Sequence, residues 1–167
     1  MSLRPLSDLD VRRRFGDPLA FVNDDGTVDA AWESLILGSA SFPEPLPLSW
    51  DPAKRVKHFR CHRLLARIFT EAFKDLHATY PDAWATIGDF GGCYAWRPQR
   101  GSKTLSRHSW GIAIDLDVRD NPMGRAGHVH SRLLEMMEAH GFAWGGDFSG
   151  TRVDPMHWEF ADPARIP

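Results

Sequence analysis

From Val56 to Tyr80 the apolar residues Phe59, Leu64, Leu65, Ile68, Phe69, Ala72, Phe73 and Leu76 recur at helical spacing, with Arg, Lys and Glu between them. Apolar positions three and four apart share one helix face, so this pattern predicts a long amphipathic helix that ends at Pro81. Between Trp110 and Val118 the period shortens to two, and apolar residues alternate with Gly111, Ala113, Asp115 and Asp117. That alternation predicts a strand with one packed face and one small, acidic face. Leu133, Leu134, Met136 and Met137 among polar neighbours predict a second helix between His128 and Gly141, with the glycine suited to the position just past its end. Met156 to Phe160 predicts a short final strand, with Met156, Trp158 and Phe160 on one side and His157 and Glu159 on the other. Gly88, Gly91 and Gly92 open a further section of strands and loops. The order helix, strands, helix, strand implies an α+β single domain with helices packed on a mainly antiparallel sheet.

Pro43, Pro45, Pro47 and Pro52 crowd one interval, and such a density bars a helix or a central strand. Residues 43–52 therefore read as an extended connector. Residues 1–52 are expected to wrap onto the rest instead of folding alone, because about fifty residues bury too little surface. Residues 53–167 would form the core.

The length of 167 residues suits one domain, and a formal net charge of −2 creates no field favouring nucleic acid or an anionic membrane. Arg12-Arg13-Arg14 would have to serve as a DNA-binding arm, and no broader basic stripe accompanies it. No apolar stretch approaches the ~20 residues of a transmembrane helix. Met1-Ser2-Leu3-Arg4-Pro5 leads into charged residues and not into the apolar segment of a secretory signal, so synthesis in the cytoplasm is expected. Cys61 and Cys93 lack CxxC spacing and read as buried, small apolar residues. The eight histidines and seven tryptophans change this ordinary picture.

Two segments concentrate chemistry. In Ser106-Arg107-His108-Ser109-Trp110-Gly111-Ile112-Ala113-Ile114-Asp115, the Asp115 carboxylate projects beside Gly111 and Ala113, which leave space for an ion or a substrate. His108 precedes the strand, where a loop can turn its ring toward that space. The pair could supply two of the N/O ligands that zinc accepts, although a His and an Asp so placed are more commonly a hydrogen-bonded surface pair. In Asp154-Pro155-Met156-His157-Trp158-Glu159-Phe160, a bend at Pro155 would bring Asp154 to the side of His157, suiting a metal ligand with a nearby base. Taken alone, that segment also reads as a core strand with polar residues facing water. Arg97 and Arg100 flank Pro98 beside Tyr94 and Trp96, and guanidiniums there could hold a carboxylate or an oxyanion. His58, His62 and His77 fall on the long predicted helix, and no H-E-x-x-H is present. His128, His130 and His140, in or beside the second helix, read as structural or exposed.

Together these residues resemble the M15 family of zinc peptidases, the D-alanyl-D-alanine carboxypeptidase and L-alanyl-D-glutamate endopeptidase group. The family pattern S-x-H-x-x-G-x-A-x-D runs from Ser106 through His108, Gly111 and Ala113 to Asp115, and a later D-x-x-H falls at Asp154 and His157. Phe15-Gly16-Asp17-Pro18, Gly91-Gly92-Cys93-Tyr94 and Trp144-Gly145-Gly146-Asp147 are similar to the phage-endolysin-like branch. The resemblance implies a Hedgehog/DD-peptidase-like fold and one Zn²⁺ per chain held by His108, Asp115 and His157. It implies Asp154 as general base and acid, and Arg97, or else Arg100, at the substrate and oxyanion. Tyr94 and Ser106 are further substrate-side candidates, Ser106 also organising the loop before His108. Glu159 is expected to orient a ligand imidazole, since such rings usually donate their other N–H to a carboxylate or carbonyl. Asp117 is a weaker candidate for that role.

The implied partner is a peptidoglycan stem peptide; a monomer is the default expectation, and action at the cell wall after holin-type release or another export route would reconcile that substrate with the cytoplasmic synthesis expected above. Residues 119–130 and 145–153 are expected to contact substrate. The rival expectation is a non-catalytic, zinc-containing binding module on the same scaffold.

Overall fold

The N-terminal segment begins with a capped helix. Ser7 Oγ accepts from the backbone N–H of Asp10, which opens α1 (Asp8–Phe15) and aims Val11 and Phe15 inward. The computed structural model describes residues 3–166, so Met1 and Ser2 of the N-terminal reading and the last residue, Pro167, lie outside the described residues. After a short 3-10 turn, Asp29 caps α2 (Ala30–Ile36), which buries Trp32 and Ile36.

Two long strands follow, β1 (Leu37–Leu48) and β2 (Asp51–His62), paired as an antiparallel hairpin. They differ from the expectation in two places. The proline-rich interval is extended but hydrogen-bonded, and it is accommodated by irregular pairing: register passes from Ser41 opposite His58 to Leu46 opposite Val56, so Pro43 and Pro45 sit in a bulge. A bulge tolerates residues that lack an N–H. The helix expected from Val56 begins only at α3 (Ala66–Thr79), because Phe59 and Cys61 face the core in alternation from β2, opposite Ala40 and Gly38. Cross-strand pairing outweighs helical spacing there, and His58 and His62 lie on a strand, not on a helix.

α3 buries Ile68, Phe69, Ala72, Phe73 and Leu76 along one stripe, and Pro81 starts the short α4 (Pro81–Ala85). Next come β3 (Phe90–Gly92) and β4 (Ala113–Leu116), the latter shorter than the strand expected from Trp110 because residues 107–110 close a 3-10 turn. α5 (Ser131–Ala139), β5 (Phe142–Trp144) and β6 (His157–Phe160) complete the chain.

The sheet order is β2-β1-β3-β4-β6-β5, and every neighbouring pair is antiparallel except β1 with β3. This is one α+β unit, as expected from the order of elements. An aromatic core joins both halves: Phe42 and Phe59 pack at 4.7 Å between ring centroids, and Phe69 and Phe142 at 4.7 Å. Val11, Phe15 and Trp32 belong to the same buried cluster. Trp110 Nε1–H donates to Gly16 O at 2.8 Å, tying the N-terminal segment to the turn that leads into β4. Among the described residues no helix is long and apolar enough to cross a membrane.

Candidate metal centre

The turn before β4 is built from its own polar atoms. Ser106 Oγ accepts from His108 N–H at 3.4 Å, and Gly111 N–H closes the turn on His108 O at 2.9 Å. Gly111 has φ +66°, and a Cβ there would lie 2.7 Å from His62 N, so a side chain is excluded by conformation and by space. Its carbonyl accepts from His62 N–H at 2.8 Å, which fixes the turn against β2. The result is a buried imidazole at His108, 2% exposed.

Strand pairing supplies the other groups. β4 and β6 place Asp115 opposite His157 and Ala113 opposite Glu159, so alternation brings both carboxylates and the second imidazole to one face. The small side chain of Ala113 leaves that face open.

Hydrogen bonds set the tautomers. His108 Nδ1 is 2.7 Å from Cys93 O, and a carbonyl only accepts, so Nδ1 carries the proton and Nε2 presents a lone pair. His157 Nε2 is 3.2 Å from Glu159 Oε2, so with that proton directed to Glu159 the inward nitrogen Nδ1 is the one a cation would take in place of a proton. The separations are 3.2 Å between His108 Nε2 and His157 Nδ1, 3.0 Å between His157 Nδ1 and Asp115 Oδ1, and 3.3 Å between His108 Nε2 and Asp115 Oδ1.

Three acceptors thus form a nearly equilateral triangle. Ligands about 2.05 Å from a tetrahedral zinc lie about 3.3 Å apart, so the triangle matches one face of such a site. A proton on His157 satisfies contacts along one N–H direction, whereas a cation between the three satisfies all of them. The donor set, two imidazoles and a carboxylate, fits zinc.

Electrostatics agree. Burial opposes ionisation of Asp115, yet the charges and hydrogen bonds of His108 and His157 hold its carboxyl well below the usual carboxylate range. Burial likewise opposes charge on His157, and its bonds to Asp115 and Glu159 outweigh that, raising it to about 10. The cavity demands positive charge.

Asp154 sits at the turn before β6. Its backbone carbonyl accepts from His157 N–H at 3.0 Å, and its N–H donates to Gly145 O at 2.9 Å. Its Oδ1 is buried and has no hydrogen-bond partner among the described residues. Burial raises its carboxyl above the ordinary value, with the charge of His157 opposing and that of Asp115 adding. A Cβ on Gly145 would fall 2.3 Å from Asp154 O, and Trp144 Nε1–H donates to Pro155 O at 2.8 Å. The Trp144-Gly145-Gly146-Asp147 segment is therefore the backing of the Asp154 turn.

An open cleft covers this centre. Arg97, Arg100, Ser106, Asp115, Asp154, His157 and Glu159 all line it. Tyr94 does not line it: the Arg60 guanidinium lies over its ring, 4.9 Å from the centroid. Asp117 is also turned away, accepting from Gly88 N–H and from Asn121 Nδ2–H. The loops expected to meet substrate contribute Met123, Phe148 and Arg152 to the lining. Phe148 lies 6.2 Å from the His157 ring, and the Arg152 guanidinium stands 5.7 Å over Phe148.

Arg107 is the residue that sequence reasoning missed. A charged residue inside a polar turn reads as solvated, yet this one is 7% exposed. Nothing near it in the chain signals the partner that buries it.

Residues 100–160, somewhat more than a third of the chain, match the family model described as D-alanyl-D-alanine carboxypeptidase, and the match takes in His108, Asp115, Asp154 and His157. No curated protein and no solved structure gives a match.

Proposed function

With residues 100–160 supporting an M15 family peptidase, we propose that this chain is a zinc-dependent peptidase that hydrolyses an amide bond in peptidoglycan stem peptides, of the D-Ala-D-Ala carboxypeptidase or L-Ala-D-Glu endopeptidase type. One observation carries the proposal: three acceptor atoms from separate parts of the chain meet at 3.0 to 3.3 Å, with the outer ring protons already committed to Cys93 and Glu159.

His108, Asp115 and His157 would hold one zinc ion. When bound, the ion supplies Lewis acidity, polarising the scissile carbonyl and lowering the pKa of a water to about 7. Asp154 Oδ1, buried and unpartnered beside this centre, accepts the proton of the attacking water as its oxygen adds to the carbonyl carbon. It returns that proton to the amide nitrogen as the C–N bond breaks, giving one carboxylic acid and one amine. Arg97 holds the developing oxyanion, and Arg100 is the alternative on the same loop. Ser106 organises the turn and faces the cleft, while Glu159 holds His157 in its ligating orientation. No covalent attachment to the chain is needed, and every residue named here lies on one chain, so a single copy suffices. Action at the cell wall, after holin-type release or another export route, is part of this proposal.

Metal analysis followed by incubation with defined muropeptides tests it. One zinc per chain and cleavage at a D-Ala-D-Ala or L-Ala-D-Glu bond is the expected result. Stoichiometric zinc without cleavage of either bond would make the protein a metal-containing binding module, and absence of bound zinc would overturn the ligand set.

A further inference from the structure

Behind His157 lie two buried ionisable side chains that the proposed reaction does not consume. Glu159 is 4% exposed and Arg107 7%. Buried charges persist only where partners compensate their lost hydration. Glu159 divides its carboxylate between two partners: Oε2 is 3.2 Å from His157 Nε2, and Oε1 is 3.7 Å from Arg107 Nε. The other two nitrogens of Arg107 are engaged elsewhere. Nη1 donates to Asp8 Oδ1 at 2.7 Å and Nη2 to Leu6 O at 2.7 Å.

Those two short, charge-assisted bonds hold the planar guanidinium, and with it the direction of Nε. They come from the first turn of α1 and the residues before it, 99 positions away for Asp8. α1 is itself anchored by the Ser7 cap and by the buried Val11 and Phe15. A continuous chain of contacts therefore runs from a pinned N-terminal helix through Arg107 and Glu159 to the ring of His157. Arg107 borders the cleft, but one N–H of each Nη is committed to the N-terminal segment.

We infer that Asp8 and Arg107 are positioning residues of the metal centre: the N-terminal segment holds Arg107, Arg107 holds one oxygen of Glu159, and the other oxygen keeps the His157 ring turned with Nδ1 toward Asp115 and His108. This rests on the zinc-centre reading given above. It also carries the functional unit outside residues 100–160, into a segment that the sequence describes only as a wrap.

Zinc affinity, measured by chelator competition on the full chain, tests the inference without reference to turnover. Arg107 is too deeply placed for the first substitution, whereas the Asp8 side chain is 55% exposed, so Asp8→Asn preserves the fold. Partners that orient ligand imidazoles typically change metal affinity by about 10- to 100-fold when altered, so Glu159→Gln is expected to weaken zinc by about tenfold. One contact further out, Asp8→Asn is expected to weaken it about threefold. The decisive measurement is the double substitution. Once Glu159 is Gln, Asp8→Asn should cost nothing further, because the contact it acts through is gone. Asp8→Glu, which keeps the carboxylate, should retain most of the affinity.

The same loss from Asp8→Asn in both backgrounds would make Asp8 a merely structural residue and overturn the inference. So would no loss in either background. A native chain that binds zinc while Asp8→Asn is unaltered refutes only the positioning role; a native chain that binds no zinc refutes the metal centre and this inference with it.

Discussion

His62 and His157 are the same residue in similarly closed surroundings, at 3% and 9% exposure, and they behave in opposite ways. His62 ends β2 at the edge of the sheet. Its Nε2–H donates to Phe15 O at 3.2 Å, and its Nδ1 accepts from Leu64 N–H at 3.3 Å. Burial outweighs the Phe15 contact, and Arg63 adds to the effect, so the imidazole is lowered to about 4 and stays neutral. His157 begins β6 and faces two carboxylates, which raise it to about 10 against the same burial. Enclosure therefore does not make a histidine functional. Backbone dipoles turn a buried ring into a helix-capping strut, whereas converging anionic acceptors turn it into half of a cation site.

The sharpest way to break this contrast is to remove the second ring. His157→Ala should lower zinc affinity by at least about a hundredfold and destabilise the fold by about 3 kcal/mol, since Asp115 and Glu159 lose a buried partner. Metal content and thermal melting, followed together, check both effects. If zinc stays bound with native affinity, His157 is no ligand.

Asp154→Asn separates holding the metal from using it. The variant should keep zinc and lose turnover by about 10²- to 10⁴-fold, read as kcat of the zinc-loaded protein on a muropeptide. Turnover equal to the native chain would remove Asp154 from proton transfer.

His62 gives an effect on stability alone, and its sign is fixed by the depressed value. The unfolded chain takes up a proton near pH 6.5, but the folded chain resists until about 4. Stability contributed by the neutral ring is complete above pH 6.5 and is lost as pH falls through that window, by up to about 3 kcal/mol. Denaturant unfolding at pH 7 and pH 4.5 should show the loss, and His62→Gln should flatten that slope. A slope unaltered in His62→Gln would assign the acid sensitivity to other groups.

The parts of the molecule that could be read from residue order are those governed by near neighbours. The stripe of Ile68, Phe69, Ala72, Phe73 and Leu76 on α3 follows from a period of 3.6, and the shared side of His157 and Glu159 follows from a period of two. Gly111, expected within the strand from Trp110, instead closes the turn before it, where the space behind it is filled by His62 and Cys61 and no side chain is tolerated. The β1 and β2 hairpin was not readable, because Phe59 reads as the start of the helical stripe and is a strand residue, with Cys61, only through Ala40 and Gly38 opposite them. Tyr94 stood beside the arginines in the chain, but its ring is taken by Arg60.

Ligand types, their order and their spacing within each segment thus reside in the chain itself, since a turn and a strand set side-chain direction within a few residues. Their meeting does not. Asp115 faces His157 because β4 pairs with β6 in one register and no other, and a slip of one residue would send the carboxylate to the opposite side. Arg107 acquires its direction from Asp8 and Leu6 only once α1 has docked, because contacts across such a separation are set by packing and not by local conformation.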